Sequence, residues 1–281
     1  MTAIKGIVLD IDGVIIGKKK GFNFPMPNEK VINKLKEVSE QGISVSLCSS
    51  KPFFAMSEVV EKIGLNSFHI ASGGAIIGNT VDGRVISKHL IDKTIAKKLI
   101  DFAVKNDIYI EAYTEDGYYI YRNEICDITK KRAERVIMRE ATVVEDLNQI
   151  IDKDVIQFKF TTTEENKEKV NNLFENENIP LSLNWTFHPA ILPFQVGDIT
   201  SKGISKKQGI IDLAIYLGIS TDNMLGVGDS NNDWNFMQLC KYTSAMGNAT
   251  EELKKLVLSK GGYIGKSVDD NGIIDILDYF I

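Results

Sequence analysis

Several features that would each mark a class of protein are scarce or missing here. The three cysteines, Cys48, Cys126 and Cys240, lie far apart and form no CxxC pair, so neither a disulfide scaffold nor a thiolate metal site is written into the chain. The thiols are expected to be reduced and buried. The three histidines, His69, His89 and His188, show no ligand spacing, which argues against zinc and leaves each as a structural residue. No stretch approaches the roughly 18 consecutive apolar residues of a membrane span, and the first six residues carry no secretory apolar run. Neither sign of charge dominates: 33 Lys and Arg stand against 38 Asp and Glu, a net charge of −5. With no basic field to favour nucleic acid or an anionic membrane, a small molecule is the expected partner. Internal repeats and low-complexity linkers are also missing. These absences predict a globular, cytoplasmic protein, and 281 residues make one large domain or two ordinary ones at roughly 100 to 200 residues each.

What is present is an alternation of apolar runs with amphipathic segments. Residues 4–9 read as a buried parallel strand that ends abruptly in Asp10-Ile11-Asp12-Gly13. Val31, Ile32, Leu35 and Val38 then recur at helical spacing behind Pro27 and Asn28, with Gly42 as the stop. Residues 43–47 predict a second strand, and Ser49-Ser50-Lys51-Pro52 opens a second helix that Gly64 closes. The pattern resumes with a helix over 206–217, a strand over 224–227 running into Gly228-Asp229, another over 242–246 and a final helix from about Ile273. Such alternation predicts a Rossmann-like, doubly wound, mostly parallel α/β sheet. Between the halves the character changes. Asp82-Gly83 marks a hairpin, and beyond it a helix over 94–105 and strands over 108–113, 118–121 and 155–161 predict a separate α+β module. The expected division is a core of residues 1–85 and 190–281 with an insertion over 86–189.

In open α/β sheets, ligands bind beyond the carboxyl ends of the strands. Three such ends carry polar clusters: Asp10 with Asp12, Ser49 with Ser50, and the run from Asp229 to Asp233. Each alone could be an ordinary turn or helix start. Together they bring at least four carboxylates towards one small space, where they repel unless something compensates them. Hard oxygen donors with no nearby His or Cys suit Mg²⁺, which would neutralise the carboxylates and could hold a phosphate oxygen. A calcium loop read from Asp229 fails, because its sixth and twelfth places hold Trp234 and Cys240 instead of Gly and Glu.

These motifs, in this order, resemble the haloacid-dehalogenase-like hydrolases, and among them the Cof-type phosphatases, over nearly the whole chain. Asp10-Ile11-Asp12-Gly13-Val14 matches the first motif and Ser49 the second. Gly203-Ile204-Ser205-Lys206 matches the third, which sets Lys202 aside, and Gly228-Asp229 with Asn232-Asp233 matches the fourth. Ala245-Met246-Gly247-Asn248-Ala249 also resembles the Cof pattern. The resemblance implies that the inserted module is a cap and that the chain hydrolyses a small, sugar-like phosphomonoester with Mg²⁺. It implies Asp10 as the nucleophile that becomes an aspartyl-phosphate, and Asp12 as general acid and base. It implies a metal held by Asp10, the main-chain carbonyl of Asp12 and Asp229, and a transferring phosphoryl group held by Ser49 and Lys206. Asn232 would orient the phosphoryl side, and Gly13 and Asp233 would be supporting residues, with Asp233 behind Lys206 or a metal-bound water. Val14, Ser50-Lys51 and Ser72 depart from the family pattern and bear on the substrate rather than the reaction. A phosphomutase on the same scaffold, a phosphoryl-receiver protein and a ligand-binding protein remain as alternatives.

Overall fold

The structure is a computed structural model that describes residues 4–122, 125–146, 148–187 and 191–281; His188 lies outside the described residues. The chain divides into two compact units, Met1–Ser50, Met56–Ser87 and Ser205–Ile281 forming one and Lys51–Ala55 with Lys88–Ile204 the other.

The first unit is built on a five-stranded sheet in the order Tyr263–Ile264, Tyr242–Ala245, Met224–Gly228, Gly6–Leu9, Ser44–Leu47, with every neighbouring pair parallel. Gly6–Leu9 is buried along its whole length, as expected of a strand covered on both faces. From it the chain moves to Ser44–Leu47 on one side and only much later to Met224–Gly228 on the other. That reversal is the topological switch point of an α/β sheet. The helix Glu29–Glu40 forms where its spacing predicts: Asn28 caps it by accepting from the Lys30 N–H, and Val31, Ile32, Leu35 and Val38 are its buried stripe. Burying such side chains contributes about 1.5–3 kcal/mol each, which anchors the helix to the sheet. The helix Lys206–Leu217 is capped by Ser205 and closed by Gly218 at φ +64°. A three-stranded sheet of His69–Ala71, Ile76–Gly78 and Val85–Lys88 includes the predicted hairpin, whose Asp82 accepts from the Arg84 N–H at 3.0 Å. Among the described residues, no helix is long and apolar enough to cross a membrane.

The second unit carries a six-stranded sheet in the order Leu181–Phe187, Gln195–Ser201, Gln157–Thr162, Tyr109–Tyr113, Tyr118–Tyr121, Thr142–Val144. Its pairs are antiparallel except the last, which is parallel. The helices Lys93–Lys105 and Glu164–Asn176 contribute Leu99, Ile100, Val170 and Leu173 to a core with Phe158, Phe160 and Ile199. Strand alternation sends Glu111, Lys159 and Asp198 to the opposite face. There Lys159 pairs with Asp198 at 2.8 Å, and Glu111 with Arg132 at 2.6 Å. Tyr113 and Tyr118 are buried and stacked at 5.2 Å.

The molecule is thus a mostly parallel α/β core with an inserted α+β unit; its units part at 50/51, 55/56, 87/88 and 204/205, the last two standing where 85/86 and 189/190 were expected. The last limit moves because Gln195–Ser201 hydrogen-bonds with Leu181–Phe187 and Gln157–Thr162, so pairing keeps it with the inserted sheet. A second difference concerns the thiols: Cys48 and Cys240 are buried, but Cys126 is exposed, because it occupies the N-cap of the helix Asp127–Arg132.

Candidate active site

Asp10 follows the strand Gly6–Leu9 directly, its N–H donating to the Val227 carbonyl at 3.1 Å and its side chain buried. Asp12 is exposed in the turn beyond. The turn depends on Gly13, which has φ +83°; a Cβ there would lie 1.9 Å from Asp229 Oδ2. Only glycine combines that backbone conformation with so close an approach. Asp229 stands at the end of the neighbouring strand, and the short helix Asn231–Met237 starts from Ser230. Asp233 is anchored by this helix start, since its Oδ2 accepts from Ser230 N at 3.0 Å, Ser230 Oγ at 2.8 Å and Asp229 N at 3.2 Å.

Lys206, first residue of its helix, donates from Nζ to Asp10 Oδ1 at 2.5 Å and to Asp233 Oδ1 at 2.7 Å. Its neighbourhood is tight: a Cβ on Gly74 would lie 2.3 Å from the Ser205 carbonyl oxygen. Ser49, two residues past the strand Ser44–Leu47, is buried, with its N–H on the Ile70 carbonyl and its carbonyl taking the Gly73 N–H. Asn232 is exposed on the first turn of Asn231–Met237. All eight residues singled out in the sequence therefore fall in the first unit.

Burial pushes the Asp10 carboxyl well above the usual carboxylate range; Lys206 opposes the shift, while Asp233 and Asp12 reinforce it. Burial likewise raises Asp229, to about 7, with Asp233 and Asp12 adding to the effect and Lys206 and Lys18 opposing it. For Asp233 burial acts upward too, but the charge and hydrogen bond of Lys206 and the bonds from Ser230 outweigh it and hold the group low. Lys206 is kept firmly protonated, because Asp10 and Asp233 outweigh the cost of burying its ammonium.

One carboxylate oxygen from each of Asp10, Asp229 and Asp233 lies within 4.8 Å of the others. Asp233 is occupied by Lys206 and Ser230, which leaves Asp10 and Asp229 as the side chains able to take a cation. Both are carboxylates whose ionised form burial disfavours, and hard oxygen donors of this kind fit Mg²⁺. The Asp12 carboxylate lies outside that cluster; the ligand expected from Asp12 was its main-chain carbonyl. Two residues that organise the site were not expected from the sequence. Ser230 was visible as a serine three places before an aspartate at a helix start, a capping-box arrangement. Asn248 was visible only within the Ala245–Ala249 run.

Known proteins resemble this chain along nearly its whole length. The chain is 25% identical to the 5-amino-6-(5-phospho-D-ribitylamino)uracil phosphatase YwtE of Bacillus subtilis (strain 168), across 99% of this chain and 98% of that one. A haloacid dehalogenase-like hydrolase from Bacteroides thetaiotaomicron shares the fold with a TM-score of 0.84 at 19% identity, covering 99% and 100% of the two chains. The sugar phosphatase BT4131 of HAD subclass IIB shares it with a TM-score of 0.77 at 22% identity, covering 98% of each. The family model for haloacid dehalogenase-like hydrolases matches residues 7–277, and the chain belongs to that family.

Proposed function

We propose that the protein is a Mg²⁺-dependent phosphatase of a small, sugar-like phosphomonoester, acting through an aspartyl-phosphate on Asp10, with the inserted unit as its cap. The observation that carries this reading is the Lys206 ammonium bridging Asp10 and Asp233 at 2.5 and 2.7 Å, with Asp10 and Asp229 at the ends of two adjacent parallel strands. The hydroxyl-rich substrate class is supported by relatives named as a sugar phosphatase and as a phosphatase of a phosphoribityl compound.

In the first step an Asp10 oxygen attacks phosphorus, the bond from phosphorus to the ester oxygen breaks, and Asp12 gives its proton to the departing alcohol. In the second step Asp12 takes a proton from water, the water oxygen attacks phosphorus, and the bond to Asp10 breaks to release phosphate and the free carboxylate. Lys206 and Ser49 hold phosphoryl oxygens while charge develops on them. Asn232 orients the phosphoryl group from the helix start, and Asp233 fixes the lysine. Asp10, the Asp12 carbonyl and Asp229 would hold Mg²⁺, which would supply positive charge to the phosphoryl oxygens.

Phosphate release from a panel of sugar phosphates and other phosphomonoesters, with Mg²⁺ or with EDTA, tests the reading. The expected result is release from sugar phosphates that EDTA abolishes. Release indifferent to EDTA, or an isomeric sugar phosphate in place of free phosphate, would contradict it.

A further inference from the structure

We infer that Asn248 is a positioning residue for the metal site: its side-chain amide locks Asp229 and the Asp12-Gly13 turn into the register in which they hold a cation. The inference rests on the reading of Asp229 and the Asp12 carbonyl as metal-holding groups. The direction of the amide is set by chemistry. The Val268 N–H can only donate, and it donates to Asn248 Oδ1 at 2.7 Å, with the Ser267 hydroxyl 3.5 Å from the same oxygen. Nδ2 must then point the other way. There it donates to the Gly13 carbonyl at 2.9 Å and lies 3.5 Å from Asp229 Oδ2.

That same Asp229 oxygen presses against the Cα of Gly13, where a Cβ would come within 1.9 Å. One donor group thus bridges the two loops at their closest approach. The Gly13 carbonyl is the next one along the chain from that of Asp12, so fixing its direction fixes the turn that presents the Asp12 carbonyl. The platform behind Asn248 is itself held. Gly247 N donates to the Lys266 carbonyl at 2.9 Å, and Thr250 N to the Asp229 carbonyl at 3.0 Å. A residue that served only to tie down the turn at Val268 would need its oxygen and not its nitrogen. Groups that orient ligands from behind in this way typically govern metal affinity by about 10- to 100-fold.

The test is calorimetric titration of the metal-free, full-length protein with Mg²⁺, for the wild type, Asn248→Ala, Asn248→Gln and Asp229→Asn, with thermal unfolding of each. The expected result is a dissociation constant raised about tenfold or more in both Asn248 variants, with a cooperative unfolding transition kept. Asn248→Gln retains the amide one methylene out of place, so it tests position separately from the presence of a polar group. A folded Asn248 variant that binds Mg²⁺ within twofold of the wild type, while Asp229→Asn does not bind, would overturn the role of Asn248 alone. Absence of binding by the wild type, or undiminished binding by Asp229→Asn, would overturn the metal reading and this inference with it.

Discussion

A lysine at the start of a helix is ordinarily a solvated side chain, and composition alone does not separate Lys206 from Lys202 or Lys207. Only the match of Gly203-Ile204-Ser205-Lys206 to a family motif did so, and the structure supplies the physical reason. Lys206 is held between two buried carboxylates, and no local pattern announces a contact made across so much of the chain. Asp10, Asp12 and Asp229 were easier to read, because an acidic residue directly after an apolar strand is out of place unless something uses it. Replacing Lys206 by Ala is predicted to lower phosphate release by about 10² to 10³-fold, as loss of an oxyanion-stabilising donor does. The same substitution leaves Asp10 and Asp233 buried without their cation, so the metal-free protein should also lose about 3 kcal/mol of stability. Steady-state rates and denaturant unfolding of the variant check both parts; near-wild-type turnover would remove Lys206 from the site.

Strands buried on both faces were legible as continuous apolar runs bounded by polar residues, and helices as stripes closed by caps. Gln195–Ser201 was missed because it is buried yet largely polar: Asp198 and Thr200 alternate with Gly197 and Ile199, and Asp198 is neutralised by a lysine from the next strand. Sequence periodicity reports hydrophobicity and is silent where burial is achieved by pairing charges. His69–Ala71 was too short to show a period, and it holds the one described histidine that is fully buried. There His69 Nδ1 accepts the Leu47 N–H at 3.0 Å, so the ring proton sits on Nε2. Burial lowers its pKa from the usual 6.5 to about 3. Below pH 6.5 the unfolded chain binds a proton that the folded protein refuses, so His69 contributes stability above that pH that is lost as pH falls towards 3. The predicted loss from this residue is about 2 kcal/mol between pH 7 and pH 5. His69→Asn, which keeps an acceptor for Leu47 but cannot titrate, should lose that much less than the wild type over the same interval. Equal pH dependence in the two proteins, read from unfolding free energies, would contradict this.

For the molecule as a whole, the division into a core and an insertion was readable from the change in pattern near residue 86. The return to the core was expected near residue 190, whereas the compact units part at 204/205, because the polar sequence of Gln195–Ser201 does not show that it pairs with the inserted sheet. Asp10 and Asp229 directly follow parallel strands that the alternation located, while Lys206 opens a helix. Ser230 behind Asp233 is a local capping pattern that spacing can show, whereas Asn248 behind Asp229 could not be derived from spacing, because that contact depends on which loops the fold brings together. All these groups converge on one chemical claim, that Asp10 carries the phosphoryl group. The most direct test uses Asp12→Asn with Mg²⁺ and p-nitrophenyl phosphate, whose leaving group needs little help from an acid, while loss of the base slows hydrolysis of the intermediate. Acid quenching and peptide mass analysis are predicted to find a phosphoryl group on Asp10, absent when Asp10→Asn is added. A phosphoryl group on any other residue, or wild-type rates of phosphate release by Asp10→Asn, would contradict the account.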